Sequence, residues 1–159
     1  MLGAKPHINI GSLKLVRAYA PSDSKVQLRE YLPEGETLER WNRLASVRIL
    51  KKEKDPKKYL ERVAAMVMKS HPSARAILLM NDEKHTLILD FMMFAPKTAP
   101  EHFVEWNLMK AKYIKGTGLI VYQYAFRIYN PKEENIDTLK SERKSMTTPF
   151  GDATFEEIE

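Results

Sequence analysis

The sequence predicts an α+β fold in which an antiparallel sheet is packed by helices. Every second side chain from Ile120 to Ile128 is apolar or aromatic, which is typical of a strand with one buried face. The strands in the second half of the chain follow one another as hairpins, which argues against a parallel sheet. A strong helical pattern over Pro56–Lys69 supplies a cover for at least one face of the sheet.

Length and composition indicate one globular domain. A chain of 159 residues can bury roughly 70% of its unfolded surface. Its 43% hydrophobic and 30% charged residues are ordinary for a soluble protein. We expect a single domain over residues 1–159, with an ordered core from about 12 to 145 and flexible segments at 1–11 and 146–159. The absence of cysteine excludes disulfides and thiolate chemistry.

The sequence shows neither a membrane-spanning segment nor a signal peptide. No stretch approaches the roughly 18 consecutive apolar residues that a spanning helix needs. Residues 1–11 lack the apolar centre of a signal peptide. We expect a periplasmic or secreted protein if a leader has been removed, and a cytoplasmic one otherwise.

Turn and capping signals predict the other elements. Turns are expected at Pro21–Ser24 and Asn81–Lys84. Thr37 should cap a short helix from Leu38 to about Arg43, and a surface helix should span Glu133–Lys144. Strands are expected at Leu13–Ala20, Val26–Tyr31, Ala45–Leu50, Ala74–Met80 and His85–Phe94.

The helix over Pro56–Lys69 has the clearest signals. Asp55 is a suitable N-cap, and Pro56 suits the first helical position because its missing N–H is not needed there. His71 precedes a proline and should end the helix. One apolar stripe recurs at helical spacing: Leu60, Val63, Ala64 and Val67.

The hairpin over Glu105–Tyr129 offers a candidate binding surface. A four-residue loop, Lys115–Gly118, would oppose Ile114 to Leu119 and gather the apolar residues of both strands on one face. A three-residue loop would set two lysines against the aromatic row, so the sequence favours an even loop of two or four residues. The outer face would then carry Trp106, Lys110, Lys112, Gln123 and Arg127.

This outer face has two interpretations. As a platform, it would bind an anionic or aromatic ligand, Trp106 would pair with Arg127, and Trp106 fluorescence would respond to the ligand. Alternatively, a second helix covers Trp106 and Leu108, and the lysines extend past its edge into water.

Charge is unevenly distributed along the chain. Residues 40–69 hold ten basic and three acidic side chains, whereas residues 132–159 hold four basic and eight acidic ones. A basic segment could bind an anionic partner, with the acidic end as its competitor, or could be a solvated helix face. The basic residues that would contact nucleic acid are Lys51, Lys52, Lys57, Lys58 and Arg62.

No group of residues forms a recognisable catalytic set. A polar site around Asp90, Asn107 and Arg127 is the alternative to a binding surface, because a carboxylate in a largely buried strand can have a raised pKa and act as an acid or base. The four histidines are scattered without metal-binding spacing, so we expect no metal and no cofactor.

Two segments carry a resemblance to a known family. Residues 30–41 contain the pattern PEGET-x-x-x-W, and Glu105-Trp106-Asn107 and Gln123–Arg127 follow later. On these residues the chain, over roughly 25–130, resembles a family of small bacterial proteins, many of them exported. The resemblance implies a PsbP-like α/β sandwich, an architecture that hosts binding and assembly more than catalysis. Within the motif, Trp41 would anchor the short helix onto the sheet and Glu36 would order the turn.

Three functions follow, in order of preference. The first is a non-enzymatic binding or assembly module, in the bacterial cell envelope, whose partner is a protein or an anionic ligand. The second is a small-ligand-binding domain or enzyme that uses the polar site. The third and least favoured is a nucleic-acid binder that uses the basic helix.

Overall fold

The computed structural model describes residues 5–19, 26–81 and 86–155. An antiparallel sheet is packed by helices, so the predicted α+β class is confirmed. The elements are β1 (His7–Ile10), β2 (Leu13–Tyr19), β3 (Val26–Leu32), β4 (Arg43–Leu50), α1 (Pro56–Ser70), β5 (Ala76–Asn81), β6 (Thr86–Phe94), β7 (Phe103–Ile114), β8 (Gly118–Tyr129) and α2 (Asn135–Asp152).

The eight strands of the described chain form one sheet in the order β1-β2-β3-β4-β8-β7-β6-β5. All neighbouring strands are antiparallel. The long hairpin of β7 and β8 lies in the interior of the sheet, and β1 and β5 are the two edges. The sheet therefore joins two meanders through the pairing of β4 with β8.

Helix α1 covers part of one face. Asp55 caps it by accepting a hydrogen bond from the backbone N–H of Lys58 at 3.0 Å, as predicted. Leu60, Ala64 and Val67 are buried against a cluster on β6, β7 and β8. The helix packs over β5, β6, β7 and the first residues of β8, so the part of this face formed by β3, most of β4 and the rest of β8 lies beyond it.

Helix α2 covers the opposite face and is longer than predicted. It continues past Lys144 to Asp152, because Met146 and Phe150 are buried in the main core. Phe155 follows it into the same core. At the other end of the chain, β1 places Ile8 and Ile10 there as well. The core thus reaches beyond the predicted limits of residues 12 and 145.

The segment before β4 is not the predicted short helix. Thr37 and Arg40 form an isolated bridge, and the Thr37 hydroxyl accepts a hydrogen bond from the Arg40 N–H at 3.3 Å. The capping role expected of Thr37 therefore serves a turn, and Arg43 already begins a strand. The predicted turn at Pro21–Ser24 lies outside the described residues. Of the predicted turn at Asn81–Lys84, only Asn81 is described, and it ends β5.

The predicted register of the central hairpin is wrong by one residue. Ile114 pairs with Gly118 across a three-residue loop, Lys115–Thr117. Gly116 and Gly118 both have positive φ, at 85° and 122°. A Cβ on Gly118 would lie 2.7 Å from the Leu50 carbonyl oxygen. Glycine is therefore required there, and the loop closes with a three-residue geometry that glycine in the left-handed region favours.

Candidate functional site

The structure divides the predicted surface between the two faces of the sheet. Trp106, Lys110 and Lys112 lie on the face that α2 covers, paired with the aromatic row of β8. Gln123 and Arg127 lie on the opposite face. The prediction of one shared platform is wrong, because a one-residue change of register moves every side chain of a strand to the other face.

Trp106 is a core residue. It is 2% exposed, and its ring packs edge-on against that of Tyr124 with 6.2 Å between centroids. Its Nε1–H donates to Asp90 Oδ1 at 2.9 Å, and Arg143 of α2 donates to Asp90 Oδ2 at 2.6 Å. The interpretation of a helix covering Trp106 and Leu108 is therefore confirmed, and the pairing of Trp106 with Arg127 is not formed.

Lys110 binds the end of α2. Its Nζ donates to the carbonyl oxygens of Phe150 at 2.8 Å, Gly151 at 3.2 Å and Ala153 at 2.5 Å. Carbonyls at a helix C-terminus lack intrahelical partners and attract a cation. Lys112 is exposed, with Nζ 5.6 Å from the centre of the Tyr122 ring. Both lysines thus lie beside the aromatic row of β8 without burying an uncompensated charge, because Lys110 bonds carbonyl oxygens and Lys112 is exposed to solvent.

Glu142 makes a third polar connection between α2 and the sheet. Arg43 donates to both of its carboxylate oxygens, at 3.1 and 3.0 Å, and the Tyr124 hydroxyl donates to it at 2.5 Å. The hydrogen bond with Glu142 raises the pKa of Arg43. Burial, reinforced by the Glu142 carboxylate, raises the pKa of Tyr124. These charges serve to hold the helix.

The opposite face contains a groove where α1 does not reach. The groove has a volume of about 440 Å³ and lies over β3, β4 and β8, beside the Trp41 segment. Its apolar walls include Leu28, Leu38 and Leu44. We call it the polar groove, after six residues that line it: Glu30, Ser46, Arg48, Glu105, Gln123 and Arg127.

A continuous series of hydrogen bonds crosses the polar groove. Arg127 donates twice to Glu105 Oε1, at 3.1 and 2.8 Å, and Asn107 donates to Glu105 Oε2 at 3.0 Å. Gln123 donates to Asn107 Oδ1 at 2.9 Å, and Arg48 donates to Gln123 Oε1 at 3.4 Å. The series fixes the orientation of both amides and leaves Arg48 at its end.

Arg48 is less well satisfied than the rest of the series, and Glu30 lies beside it in the groove. The Nε–H of Arg48 is buried and has no hydrogen-bond acceptor within the described parts of the chain. An unmet buried donor costs about 1–3 kcal/mol, so natural structures rarely retain one without a reason. Burial raises the pKa of the neighbouring Glu30 carboxyl, and the positive charge of Arg48 partly opposes this increase.

The Trp41 segment forms one end of the groove. The Arg127 guanidinium lies between the rings of Trp41 and Phe103, at 4.2 and 3.8 Å from their centres. The Tyr129 hydroxyl donates to the Trp41 carbonyl oxygen at 3.0 Å. Trp41 thus anchors this segment on the sheet as predicted, although the segment is a turn. Glu36 accepts a hydrogen bond from the Asn42 N–H, which orders that turn.

One of the other candidate sites is divided between the two faces of the sheet, and two residues of the basic helix are engaged in ion pairs. Asp90 faces α2, whereas Asn107 and Arg127 lie on the other face, so the three predicted residues do not form one polar site. On the basic helix, Arg62 pairs with Glu53 at 2.6 Å and Lys57 lies 3.9 Å from Glu61. Over residues 5–19, 26–81 and 86–155, no group of three or more acidic or histidine residues is placed to hold a metal ion.

A larger cavity, of about 710 Å³, lies at the loop end of the hairpin. Lys110 and Tyr122 line it, together with the N-terminal end of α1 and the residues that end α2. Lys110 already donates to three carbonyls, whereas the polar groove holds the Arg48 N–H that has no acceptor among the described residues. We therefore take the polar groove as the candidate site.

The sequence predicted only some of the residues of the polar groove. Gln123 and Arg127 were among the predicted surface residues and Asn107 was in the alternative site, but Glu30, Ser46 and Arg48 were missed. A signal was present: these three are polar residues on the inner strands β3 and β4, and Glu30 pairs with Ser46. Their common face follows only from the pairing of β3, β4 and β8.

Comparison with known proteins adds a family but no activity. In the described ranges, neither helix combines the length and apolar character that crossing a membrane requires. No curated protein and no solved structure matches the chain. A family model does match, over residues 8–155, a span that runs from β1 to the buried Phe155 and includes both helices and the polar groove. This protein therefore belongs to that family.

Proposed function

We propose that this protein is a binding module without catalytic chemistry of its own, and that its ligand enters the polar groove. The buried Nε–H of Arg48 carries the proposal, because it lacks an acceptor among the described residues in a groove where the neighbouring amides and carboxylate bond one another. A ligand acceptor that meets this N–H after a rotation of the Arg48 side chain into the groove would remove the cost of the unmet donor.

The lining of the groove favours a small carboxylate with an apolar body. Arg48 can donate to a carboxylate in a charge-assisted hydrogen bond, which is stronger than a bond between neutral groups. Leu28, Leu38 and Leu44 can contact the apolar part. The volume of about 440 Å³ is typical of small-molecule sites.

Neither Glu105 nor Asp90 is placed to act as a general base in the groove, which favours binding over catalysis. Glu105 accepts hydrogen bonds from Arg127 and Asn107, and its side chain is 10% exposed, so it is held as a fixed acceptor. Asp90, the other buried carboxylate of the predicted polar site, lies on the opposite face beneath Arg143. A general base needs a reachable position beside the substrate.

The proposal also includes two properties that the family resemblance implies, a PsbP-like architecture and a role in the cell envelope. An antiparallel sheet with a helix on each face is compatible with a PsbP-like architecture, and that likeness favours a role in binding or assembly in the bacterial cell envelope. Under this proposal, a bound small carboxylate would be a cargo or a signal for assembly.

Nuclear magnetic resonance can test the groove with benzoate as the probe and benzylamine as its oppositely charged match. We expect benzoate to shift the Arg48 Nε–H and Trp41 indole resonances, because both residues line the groove. The Trp106 indole serves as an internal control, since it is buried on the other face. Arg48→Gln should weaken benzoate binding at least about tenfold, by loss of a charge-assisted bond.

The matched control is Arg62→Gln, which removes an arginine on the surface of α1 and should leave benzoate binding unchanged. Equal shifts with benzylamine, or undiminished binding of benzoate by Arg48→Gln, would contradict the proposal. Shifts confined to residues outside the groove would do the same.

A further inference from the structure

Strand β5 is an edge of the sheet that lacks the usual protection. Its sequence, Ala76-Ile77-Leu78-Leu79-Met80-Asn81, contains no charge and no proline, and it pairs with β6 without a bulge. Within the described chain, no strand pairs with its outer side. Natural proteins commonly protect such an edge with charges, prolines, bulges or a covering element.

The free hydrogen-bonding groups of β5 can be assigned from its register. The Met92 N–H donates to the Arg75 carbonyl oxygen at 3.1 Å, just before the strand begins. In an antiparallel ladder, successive residues alternate between facing the partner strand and facing away from it. The backbone N–H and C=O groups of Ala76, Leu78 and Met80 therefore point away from β6. Met80 is 57% exposed at the open end of this row.

A groove with apolar walls and a cationic rim runs between β5 and α2. Ile77 and Leu79 line it from the strand, and Ile136, which is 52% exposed, lines it from the helix. Two adjoining cavities of about 170 and 290 Å³ make up its length. Its rim consists of four exposed basic residues: Arg75, Lys140, Arg143 and Lys144.

Little negative charge lines the two cavities. Asp90 is the acidic residue among those that line the two cavities, and it already accepts hydrogen bonds from Arg143 and Trp106. Lys140 and Lys144 lie one helical turn apart on α2. They are positioned to attract acidic side chains that lie above β5.

We propose that β5 accepts an extended acidic segment of a partner protein as an added strand. Backbone bonds to Ala76, Leu78 and Met80 would hold the segment, as in other cases of strand addition. Alternate side chains of an added strand point to opposite faces. Acidic residues would reach Lys140 and Lys144 on one face, and apolar residues would extend the row of Leu78 and Met80 on the other.

Charge distinguishes this partner from a second copy of the chain. Antiparallel pairing of two β5 strands about a two-fold axis would place both α2 helices on the same face of the joined sheet. The two cationic rims would then approach each other, and like charges in proximity are unfavourable. An acidic segment complements the rim.

Fluorescence anisotropy can test the proposal with a labelled octapeptide of alternating glutamate and valine. We expect the protein to bind it at least about tenfold more tightly than a lysine–valine peptide of the same length. A glutamate–valine peptide N-methylated at every residue should lose binding, because neither of its edges can complete the ladder in either strand direction. Charge reversal in the double variant Lys140→Glu and Lys144→Glu should weaken binding of the unmodified peptide by a similar factor.

Met80→Pro tests the strand edge itself, because it removes an outward N–H from an exposed residue. Met80→Thr is the matched control, since it keeps that N–H, and it should bind normally. Equal affinity for the acidic and basic peptides, or full binding of the N-methylated peptide, would overturn the proposal even if Met80→Pro failed to fold. A dimer in sedimentation that Met80→Pro converts to monomers would also overturn it, because the edge would then be occupied by a second copy.

Discussion

The two faces of the sheet use charged residues differently. On the face covered by α2, Asp90, Lys110 and Glu142 connect strands to the helix through short hydrogen bonds. On the other face, beyond α1, Arg48 ends a hydrogen-bonded series without a full set of partners. The difference teaches that a buried charge on this sheet becomes structural where a helix can satisfy it. On the open face Glu105 and Arg127 satisfy each other, and Arg48 Nε–H is the donor of the series that finds no acceptor among the described residues.

The C-terminal half of α2 should give the largest effect, because the covered face depends on it. Phe150 is fully buried, so Phe150→Ala should lower the free energy of unfolding by about 3–5 kcal/mol. Urea denaturation measures this value. Ile136→Ala, in an exposed part of the same helix, should cost less than about 0.5 kcal/mol. Equal losses in the two variants would show that the end of α2 is not part of the core.

Lys110→Met should have the next largest effect. The substitution keeps much of the side-chain volume but leaves three carbonyl oxygens without their common donor. We expect a loss of about 2 kcal/mol in urea denaturation, the usual range for unmet buried groups. Lys112→Met, two residues along the same face, should change stability by less than about 0.5 kcal/mol. A stable Lys110→Met variant would remove the proposed contrast between the faces.

Glu30→Gln should change the free energy of unfolding least, and it should stabilise the protein, whereas the two substitutions above destabilise it. Burial raises the pKa of Glu30, so wild-type stability from this group is present at low pH and is lost as the pH rises through the raised pKa. Glu30→Gln should therefore be more stable than wild type at pH 7, and this advantage should vanish near pH 4. Melting temperatures at the two pH values measure it.

Glu39→Gln, at an exposed position, is the control for Glu30→Gln and should show no such difference between the two pH values. If Glu30→Gln were less stable than wild type at pH 7, the attraction between the Glu30 carboxylate and Arg48 would outweigh the cost of burying that carboxylate. The open face would then resemble the covered one.

Local patterns predicted most elements correctly. Seven of the strands and α1 follow from alternation, helical spacing and caps, which depend on neighbouring residues alone. The exceptions are instructive. Strand β1 is short, and its apolar pair Ile8 and Ile10 becomes recognisable only when β2 lies beside it. In α2, Pro149 and Gly151 are poor helix formers, and burial of Phe150 overrides their propensities.

The site was less predictable, because it depends on the register of the hairpin. Either loop length is compatible with the local sequence around Gly116. The three-residue loop sets Lys110 on the aromatic face, and this arrangement is stable because Lys110 meets carbonyls of a helix end some forty residues later. The one-residue difference decides whether Gln123 faces Trp106 or the polar groove.

By itself, the sequence determined the α+β class, the course of most strands and the cap of α1. Periodicity and capping act over a few residues, so they can be read without knowing the fold. Only the tertiary structure decided which residues share a face, that Trp106 is covered, and that Arg48 and Glu30 join Gln123 in an open groove. Register, helix coverage and burial are set by contacts between distant segments, and these contacts determine whether a buried charged group has a full set of hydrogen-bond partners.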